Sequence, residues 1–227
     1  MNTTFRFSRA LRGPVLALAA LLVNVGQAQE QKPLYTTRTA TPDGTGKIYY
    51  GREIAAYMTH AGAAWLDRPE REKEEQPELV IKALGLRQGE VVADLGCGTG
   101  YFSWRLGRQV GERGLVYGVE IQPEMLQLLD TKMRERGALN VTGVLGTPQD
   151  PNLPEPVDLV LMVDVYHELS HPAEMMEAIC ERLKSGGRLA LVEYRAEDPK
   201  VPIKPLHKMT EAQIKKEMAD LPLDYVE

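Results

Sequence analysis

The stretch VVADLGCGTGYF, residues 91–102, constrains the fold more than any other part of the chain. Its apolar run ends at Asp94, and small residues then alternate with glycines, namely Gly96, Gly98 and Gly100. Glycine lets the backbone turn sharply and lets a ligand approach without meeting a Cβ atom. A helix that begins at about Tyr101 would present unpaired N–H groups to a carboxylate or a phosphate. The stretch therefore predicts a strand, a ligand-binding loop and a helix, in that order.

Apolar runs and helical segments alternate through the rest of the chain. The apolar runs are EVVADLG, GLVYGVEI, NVTGVLG, VDLVLMVDV and GRLALVEY, and the segments between them include YFSWRLGRQVG, QPEMLQLLDTKMRERG and HPAEMMEAICERLKSGG. Strands that are apolar throughout and separated by helices indicate a parallel sheet covered on both faces. We therefore predict an α/β fold: a doubly wound, Rossmann-like, mostly parallel sheet with helices on both faces. Ligands bind such sheets beyond the carboxyl ends of the strands.

The residues that follow the second and third predicted strands are candidates for contacts with a nucleoside. Glu120 ends the second strand, where a carboxylate can accept two hydrogen bonds from a ribose diol. Ile121 beside it can contact an adenine face, and Gln149 or Asp150 after the third strand can meet the adenine amino edge. The glycine spacing G-x-G-x-G differs from the G-x-G-x-x-G that holds a dinucleotide pyrophosphate.

Titratable residues cluster after the fourth and fifth predicted strands, where a substrate would face the bound ligand. The fourth strand leads into Asp164, His167 and Glu168, and the fifth strand ends at Glu193. His167 can act as a base or as a hydrogen-bonding anchor, and a purely structural histidine is an equal alternative. The four histidines of the chain lack the close spacing of a zinc site, so no metal is expected.

Residues 1–28 have the three-part pattern of a secretory signal peptide. An apolar run over residues 14–25 precedes a cleavage point at about Ala28 and follows three basic residues, Arg6, Arg9 and Arg12. We therefore expect an exported, periplasmic protein with no stable membrane association after cleavage. An uncleaved anchor, or a cytoplasmic protein with a non-functional leader, is the alternative. Cys97 and Cys180 are expected to be buried rather than bridged.

Residues 29–76 are expected to form an N-terminal arm and a helical cap ahead of a domain over residues 77–227. Apolar spacing over residues 52–66 predicts a short helix. We expect aromatic and basic side chains of this region to cover the ligand cavity as a wall or lid; they are Tyr49, Tyr50, Arg52, His60, Trp65, Arg68 and Arg71. A charged capping segment with Trp65 as a core anchor is the alternative.

Together these motifs resemble those of the class I S-adenosylmethionine-dependent methyltransferases. VVADLGCGTGYF resembles that family's D-x-G-x-G-x-G motif, VYGVEIQPEML its ribose-binding motif, and VDLVLMVDVYHEL its fourth-strand motif. The block upstream of residue 77 also resembles a leader-bearing bacterial subgroup. The resemblance implies S-adenosylmethionine as the cofactor, with its methionine carboxylate on the glycine loop. The implied cofactor contacts are Asp94, Gly96, Gly98, Gly100 and Glu120, to which the strand ends add Ile121, Asp150 and Asp164.

The resemblance implies in-line displacement of a methyl group from a sulfonium, aided by a base such as His167, Asp164 or Glu193 where the acceptor must lose a proton. The net charge of −5 gives no reason to expect a nucleic acid, so a small-molecule acceptor is predicted. A non-catalytic exported protein that binds a nucleoside or cofactor is the alternative. The glycine spacing disfavours a nicotinamide-dependent oxidoreductase. The sequence ends about where the sixth of the family's seven strands would begin, so we expect either a truncated chain or one that lacks the last two strands.

Overall fold

The structure, a computed structural model, describes residues 2–9 and 33–226. These residues form a seven-stranded sheet, a separate three-stranded sheet and the helices around them. The strands are β1 (Asn2–Arg9), β2 (Tyr35–Thr37), β3 (Gly44–Tyr49), β4 (Arg52–Ala55), β5 (Val91–Leu95), β6 (Leu115–Glu120), β7 (Val141–Leu145), β8 (Val157–Val163), β9 (Leu183–Tyr194) and β10 (Leu223–Tyr225). The α-helices are α1 (Arg71–Glu75), α2 (Pro77–Ala83), α3 (Ser103–Val110), α4 (Pro123–Glu135), α5 (Pro172–Arg182) and α6 (Glu211–Met218). Short 3₁₀ segments span His60–Asp67, Tyr166–Glu168 and Pro205–His207.

The seven-stranded sheet runs in the order β10-β1-β9-β8-β5-β6-β7. The five strands β5–β9 are parallel to one another, whereas β1 runs antiparallel to both β9 and β10. The chain moves outward from β5 to β6 and β7, then returns to the other side of β5 with β8 and β9. The predicted doubly wound, mostly parallel sheet is thus confirmed. Its order reverses between β5 and β8, which is where ligands bind in such sheets.

Both faces of the sheet are covered, which explains why its strands are apolar throughout. Along β5, Val92 packs with residues of α2 and α3, whereas Ala93 and Leu95 face the opposite core with α5 and α6. Successive side chains of a strand alternate between faces, so Asp94 shares the face of Val92. Asp94 is only 3% exposed, and the strand therefore holds this carboxylate inside the fold at its carboxyl end.

The position between β9 and β10 is filled by the N-terminal strand β1. Residues 2–8 pair with β9, and residues 7–9 pair with β10. The two strands expected to be missing therefore have counterparts in β1 and β10, and the sheet has seven strands. Residues 10–32, which include the apolar run of the expected signal peptide, lie outside the described residues. Among the described residues, no helix combines the length and apolar character that crossing a bilayer requires.

The residues upstream of α1 form a small antiparallel sheet in place of the helix predicted over residues 52–66. A two-residue turn joins β3 to β4. Its residues have positive φ angles, 48° at Tyr50 and 96° at Gly51, as a tight type I′ hairpin turn requires. This turn directs β4 back along β3, and the only helical part of the predicted stretch is the 3₁₀ segment that starts at His60. The helix prediction was wrong because apolar spacing alone does not register a hairpin turn.

Candidate active site

A cavity of about 770 Å³ opens at the carboxyl ends of β5, β6 and β8, where the strand order reverses. This volume is in the usual range for sites that bind small organic ligands and cofactors. One group of lining residues follows the sheet strands and comprises Asp94, Gly96, Gly98, Glu120, Ile121, Asp164 and His167. A second group precedes α2 and includes Tyr57, Trp65, Arg68 and Arg71. The predicted position of the site, beyond the strand ends, agrees with this cavity.

The glycine loop keeps part of the cavity wall free of side chains. Gly96 and Gly98 line the cavity with φ angles of 70° and 53°, a region that residues with a Cβ atom rarely adopt. A Cβ atom on Gly96 would lie 2.5 Å from Val165 Cγ2, and one on Gly98 would lie 2.6 Å from Leu66 Cδ1. The bare backbone thus lets Val165 and Leu66 approach the loop closely and leaves its cavity side without side chains.

Two further predicted residues hold this loop in place. Gly100 lies against α4, where a Cβ atom would come within 2.4 Å of Leu129 Cδ1, so its part is packing rather than contact with a ligand. Asp94 lines the cavity and accepts a hydrogen bond of 2.6 Å from Ser103 Oγ. Burial raises the pKa of Asp94 to about 6, although the hydrogen bond from Ser103 acts in the opposite direction.

Glu120 ends β6 and lines the cavity. One carboxylate oxygen accepts the backbone N–H groups of Ile121 at 2.7 Å and Gln122 at 3.1 Å, and the other accepts that of Gly98 at 3.2 Å. Burial raises the pKa of Glu120, while these donors lower it. A carboxylate oxygen can accept two hydrogen bonds, so the oxygen that faces Gly98 retains capacity for a hydroxyl group. Ile121 lies beside it on the cavity wall and is 39% exposed, as contact with a flat apolar ring requires.

The loop after β7 differs from the sequence prediction. Asp150 accepts a hydrogen bond of 2.7 Å from the backbone N–H of Asn152, and neither Asp150 nor Gln149 lines the cavity. Thr147 and Pro148 line it instead. Thr147 Oγ1 also accepts the Asp150 N–H at 2.9 Å, which closes the loop into a tight turn. The structure therefore gives no support to an adenine contact from Asp150, because this residue lies off the cavity wall.

His167 and Glu193 form a buried pair. His167 Nδ1 lies 2.6 Å from Glu193 Oε2, and the other Glu193 oxygen accepts the Tyr166 N–H at 2.9 Å. Burial acts to lower the pKa of His167, but the charge of Glu193 and hydrogen bonds to Glu168 and Glu193 outweigh it and raise this pKa to about 10. Glu193 is 0% exposed and does not line the cavity, so it positions His167 and is not the base that its strand-end position suggested.

Asp164 lines the cavity directly after β8, with a positive φ of 54°. Its Oδ1 atom is buried and has no hydrogen-bond partner among the residues that the structure describes. Burial, together with the nearby charge of Glu193, raises the pKa of Asp164 well above its usual range. A strained backbone and an unpartnered buried oxygen at a cavity are features of residues that contact ligands.

Beside His167 the structure adds a residue that the sequence did not connect to it. His207, 40 positions downstream, places Nδ1 3.2 Å from His167 Nε2 and 3.3 Å from Glu168 Oε1. Glu168 Oε1 lies 3.7 Å from His167 Nε2. All three residues line the cavity. The spacing of histidines in the sequence did not reveal this cluster, because an irregular segment after β9 brings His207 back to His167. The one available signal was that this segment follows a strand ending at the same edge of the sheet.

The upstream residues contribute only in part as predicted. Trp65, Arg68 and Arg71 line the cavity, and the Arg68 guanidinium lies 3.8 Å from the centre of the Trp65 ring. Trp65 is 57% exposed, so it is not a core anchor. Four predicted residues are not part of the cavity wall, namely Tyr49, Tyr50, Arg52 and His60. Arg52 instead binds Glu217 on α6 through hydrogen bonds of 2.7 and 3.0 Å, which join the small sheet to the main domain.

Both cysteines are buried and unpaired, as predicted. Cys97 lies in the glycine loop, where burial raises its pKa well above the usual range. Burial also raises the pKa of Cys180, to about 11. Thiols of this kind are not ionised at neutral pH and are poor nucleophiles.

Comparison with known proteins identifies the family. Residues 86–223, more than half of the chain, match the family described as a methyltransferase domain. The ubiquinone/menaquinone biosynthesis C-methyltransferase UbiE of Proteus mirabilis is 30% identical over 116 residues, which are 50% of this chain and 46% of that protein. The fibrillarin-like rRNA/tRNA 2′-O-methyltransferase of Pyrobaculum islandicum is 30% identical over 163 residues, 69% of this chain and 68% of that protein. The chain thus spans about half the length of the quinone methyltransferase.

A crystal structure shows the same fold. The structure of an S-adenosylmethionine-dependent methyltransferase from Aquifex aeolicus superposes with a TM-score of 0.67 at 29% identity, and covers 72% of this chain and 88% of that one. A nicotinamide-dependent oxidoreductase, which the glycine spacing disfavoured, receives no support from these relatives.

The relatives correct one expectation about partners. The net charge led us to predict a small-molecule acceptor and to exclude nucleic acid. A relative named for rRNA and tRNA as its substrates matches over more than two thirds of the chain, so that exclusion is wrong. The net charge of a whole chain does not describe the surface around one cavity, because local potentials depend on how charges are distributed.

The sequence motifs, the sheet topology and the relatives all indicate the same family. The glycine loop and the acid at the tip of β6 lie at the strand ends where this family binds its cofactor, and the family match covers both. The chain therefore belongs to the class I S-adenosylmethionine-dependent methyltransferases, and its cofactor is S-adenosylmethionine.

Proposed function

We propose that this protein transfers a methyl group from S-adenosylmethionine to an acceptor whose reacting group enters the cavity beside Asp164 and His167. One observation carries the proposal: the glycine loop and Glu120 open onto the same cavity as Asp164 and His167. The cavity, of about 770 Å³, is large enough for a cofactor and for the reacting end of a second molecule.

The cofactor would be held by groups of known geometry. The glycine loop at Gly96 and Gly98, which lines the cavity without side chains, leaves room for the methionine end of the cofactor. Glu120 has capacity for a ribose hydroxyl on the oxygen that faces Gly98, and the side chain of Ile121 offers an apolar surface to the adenine ring. These assignments use only residues on the cavity wall, so Asp150 and Gly100 are left out of the contact set.

When bound, S-adenosylmethionine supplies a methyl group on a sulfonium, and the bond to the acceptor forms in line as the bond to sulfur breaks. The contribution of the chain is chiefly alignment of the acceptor, which can lower a barrier by about 7–11 kcal/mol. Asp164 would take the acceptor's proton, because its buried Oδ1 atom lies at the cavity and has no hydrogen-bond partner among the described residues. His167, which lies on the same part of the cavity wall, would help to orient the acceptor.

Transfer of a labelled methyl group tests the proposal. The acceptor panel contains hydroxylated quinone precursors and unmodified tRNA and rRNA, since relatives act on both classes. We expect Asp164→Asn to lower kcat by about 100-fold or more while leaving affinity for S-adenosylhomocysteine unchanged, as loss of a general base would do. Loss of that affinity would make Asp164 a cofactor contact instead. Cofactor binding with no transfer to any acceptor would contradict the proposal and favour a binding protein.

For the compartment, we propose export, supported by the pattern of residues 1–28. Cleavage after Ala28 would remove β1, so export and the seven-stranded sheet are alternative fates of one segment. The intact mass of the protein recovered from periplasmic and cytoplasmic fractions tests this. A periplasmic chain that lacks residues 1–28 is expected, and a full-length cytoplasmic chain would contradict export.

A further inference from the structure

Three side-chain atoms of the kind that bind metal ions converge on the cavity wall, apart from the cofactor end. They are His167 Nε2, His207 Nδ1 and Glu168 Oε1, and they lie within 4.8 Å of one another. Their separations are 3.2 Å between the two nitrogens, 3.3 Å from His207 to Glu168 and 3.7 Å from His167 to Glu168. The proposed methyl transfer does not use these three atoms together.

These separations match the edges of a coordination polyhedron. Zinc binds imidazole nitrogen and carboxylate oxygen at about 2.0–2.2 Å, so two ligand atoms at the corners of a tetrahedron stand roughly 3.3–3.5 Å apart. The separation of 3.3 Å between His207 and Glu168 lies in this range, and the separation of 3.2 Å between the two nitrogens lies just below it. The longest, 3.7 Å, needs a shift of a few tenths of an ångström at the Glu168 side chain. Little rearrangement is therefore needed to place a cation between the three atoms.

His167 is hydrogen-bonded in the way that ligating histidines are at metal centres. A ligating histidine commonly passes its second ring N–H to a carboxylate, which fixes the ring and makes the free nitrogen a better ligand. His167 does this: its Nδ1 lies 2.6 Å from Glu193 Oε2, and Glu193 is 0% exposed and held by the Tyr166 N–H. The ring of His167 is thus locked with Nε2 directed at Glu168 and His207.

We propose that His167, Glu168 and His207 form a binding site for a divalent transition-metal cation such as Zn²⁺ on the wall of the cavity. Two imidazoles and one carboxylate are a ligand set of catalytic zinc and non-haem iron sites, which keep at least one coordination position open. Binding displaces the proton on His167 Nε2 to solvent, so that this nitrogen can coordinate the cation. A further step rests on the proposed methyl transfer: the open position would hold an oxygen or sulfur atom of the acceptor and lower its pKa.

The competing structure is a hydrogen-bonded chain that joins the same three side chains and needs no cation. The distance of 3.2 Å between the two histidines also permits an N–H···N hydrogen bond. The two structures differ in one measurable respect, namely the affinity of the untagged full-length chain for the metal alone.

Titration of the full-length chain with ZnCl₂ by calorimetry, without acceptor, tests the site. We expect one equivalent of Zn²⁺ to bind, and we expect His207→Gln and Glu168→Gln each to weaken binding by at least about 10–100-fold, which loss of a supporting residue alone can cost. His60→Gln is the matched control, since His60 is about half exposed, lies off the cavity wall and pairs with the exposed Glu124. Substituted Co²⁺ supplies a second readout, because its visible absorption bands report tetrahedral coordination and should be lost in both cluster variants.

Two results would overturn the proposal. Absence of Zn²⁺ binding by a wild-type chain that still binds S-adenosylhomocysteine would assign the cluster to the hydrogen-bonded chain. Zn²⁺ binding that survives both cluster substitutions would place the metal elsewhere. Cofactor affinity is measured on the same samples, so a failure of the metal site and a failure of the proposed methyl transfer remain distinguishable.

Discussion

The two ends of the cavity are built in different ways. At the cofactor end, Asp94, Gly98 and Glu120 come from consecutive strand–loop units, β5 and β6, which are neighbours in the sheet. At the opposite end, His167 and His207 come from segments 40 residues apart that meet only in the folded chain. The first end is therefore fixed largely by local sequence and strand pairing, whereas the second depends on tertiary contacts.

The contrast extends to what braces each end. The glycine loop is held by the adjacent strand end, since the Gly98 N–H donates a hydrogen bond to the Glu120 carboxylate. The opposite end is braced by Glu217, which accepts hydrogen bonds from Arg52 at 2.7 Å and from the Tyr166 hydroxyl at 2.8 Å. This one carboxylate joins the small sheet, α6 and the turn before His167. Damage to Glu217 should therefore loosen the second end while sparing the first.

The largest effect is expected for Glu217→Ala. Removing one partner of a buried ion pair leaves an uncompensated charge on Arg52, which costs about 3–5 kcal/mol. We expect the free energy of unfolding, measured in urea, to fall by about that amount. Glu211→Ala on the same helix is the control, because Glu211 pairs only with exposed groups, and it should leave the urea midpoint unchanged. If the two substitutions lowered the free energy of unfolding equally, Glu217 would not be the residue that stabilises this end of the cavity.

The next effect concerns Asp94 and pH. Its pKa is about 6 in the fold against 3.8 in the unfolded chain, so the native state keeps this proton after the unfolded state has lost it. Stability should therefore fall as pH rises from about 4 to 6, by about 3 kcal/mol at most. Asp94→Asn should flatten this part of the stability curve while weakening cofactor affinity. Asp130→Asn, at an exposed ion pair, should leave the curve unchanged, and an unaltered slope in Asp94→Asn would contradict the assignment.

The smallest stability effect is expected for Trp65→Ala. Trp65 is 57% exposed and its main contact is the Arg68 guanidinium at 3.8 Å, an interaction worth about 0.5–1 kcal/mol at an exposed site. The free energy of unfolding should change by no more than that, while KM for the acceptor should rise because Trp65 lines the cavity. A change in stability of several kcal/mol would restore Trp65 as a core anchor.

Much of the fold and of the cofactor end could be predicted from the sequence. The strand ending at Asp94, the glycine loop and Glu120 are encoded within short stretches, and parallel pairing brings them together without further information. Apolar spacing could not distinguish the hairpin at Tyr50 from a helix. The turn needs a positive φ angle at both Tyr50 and Gly51, and tyrosine rarely adopts one, so the residue types gave no sign of this turn. Asp150 was predicted from its place after β7, and the sequence did not show the tight turn that holds it off the cavity wall.

The opposite end escaped prediction for a different physical reason. Residue types alone do not show that Glu193 lies behind His167 rather than in the cavity, because that depends on burial at the end of β9. The approach of His207 to His167 depends on an irregular segment with no periodic pattern. Long-range contacts of this kind carry little local signal, which is why spacing rules fail for them.

The cofactor end is tested most directly by calorimetric titration of the full-length chain with S-adenosylhomocysteine. Glu120→Ala removes the carboxylate assigned to the ribose, and Glu124→Ala removes an exposed carboxylate four residues away. We expect wild type and Glu124→Ala to bind alike, and Glu120→Ala to bind about 10–100-fold more weakly, as the loss of hydrogen bonds to a charged group predicts. Equal affinities in all three proteins, or no binding by a folded wild type, would contradict the assignment of this cavity to the cofactor.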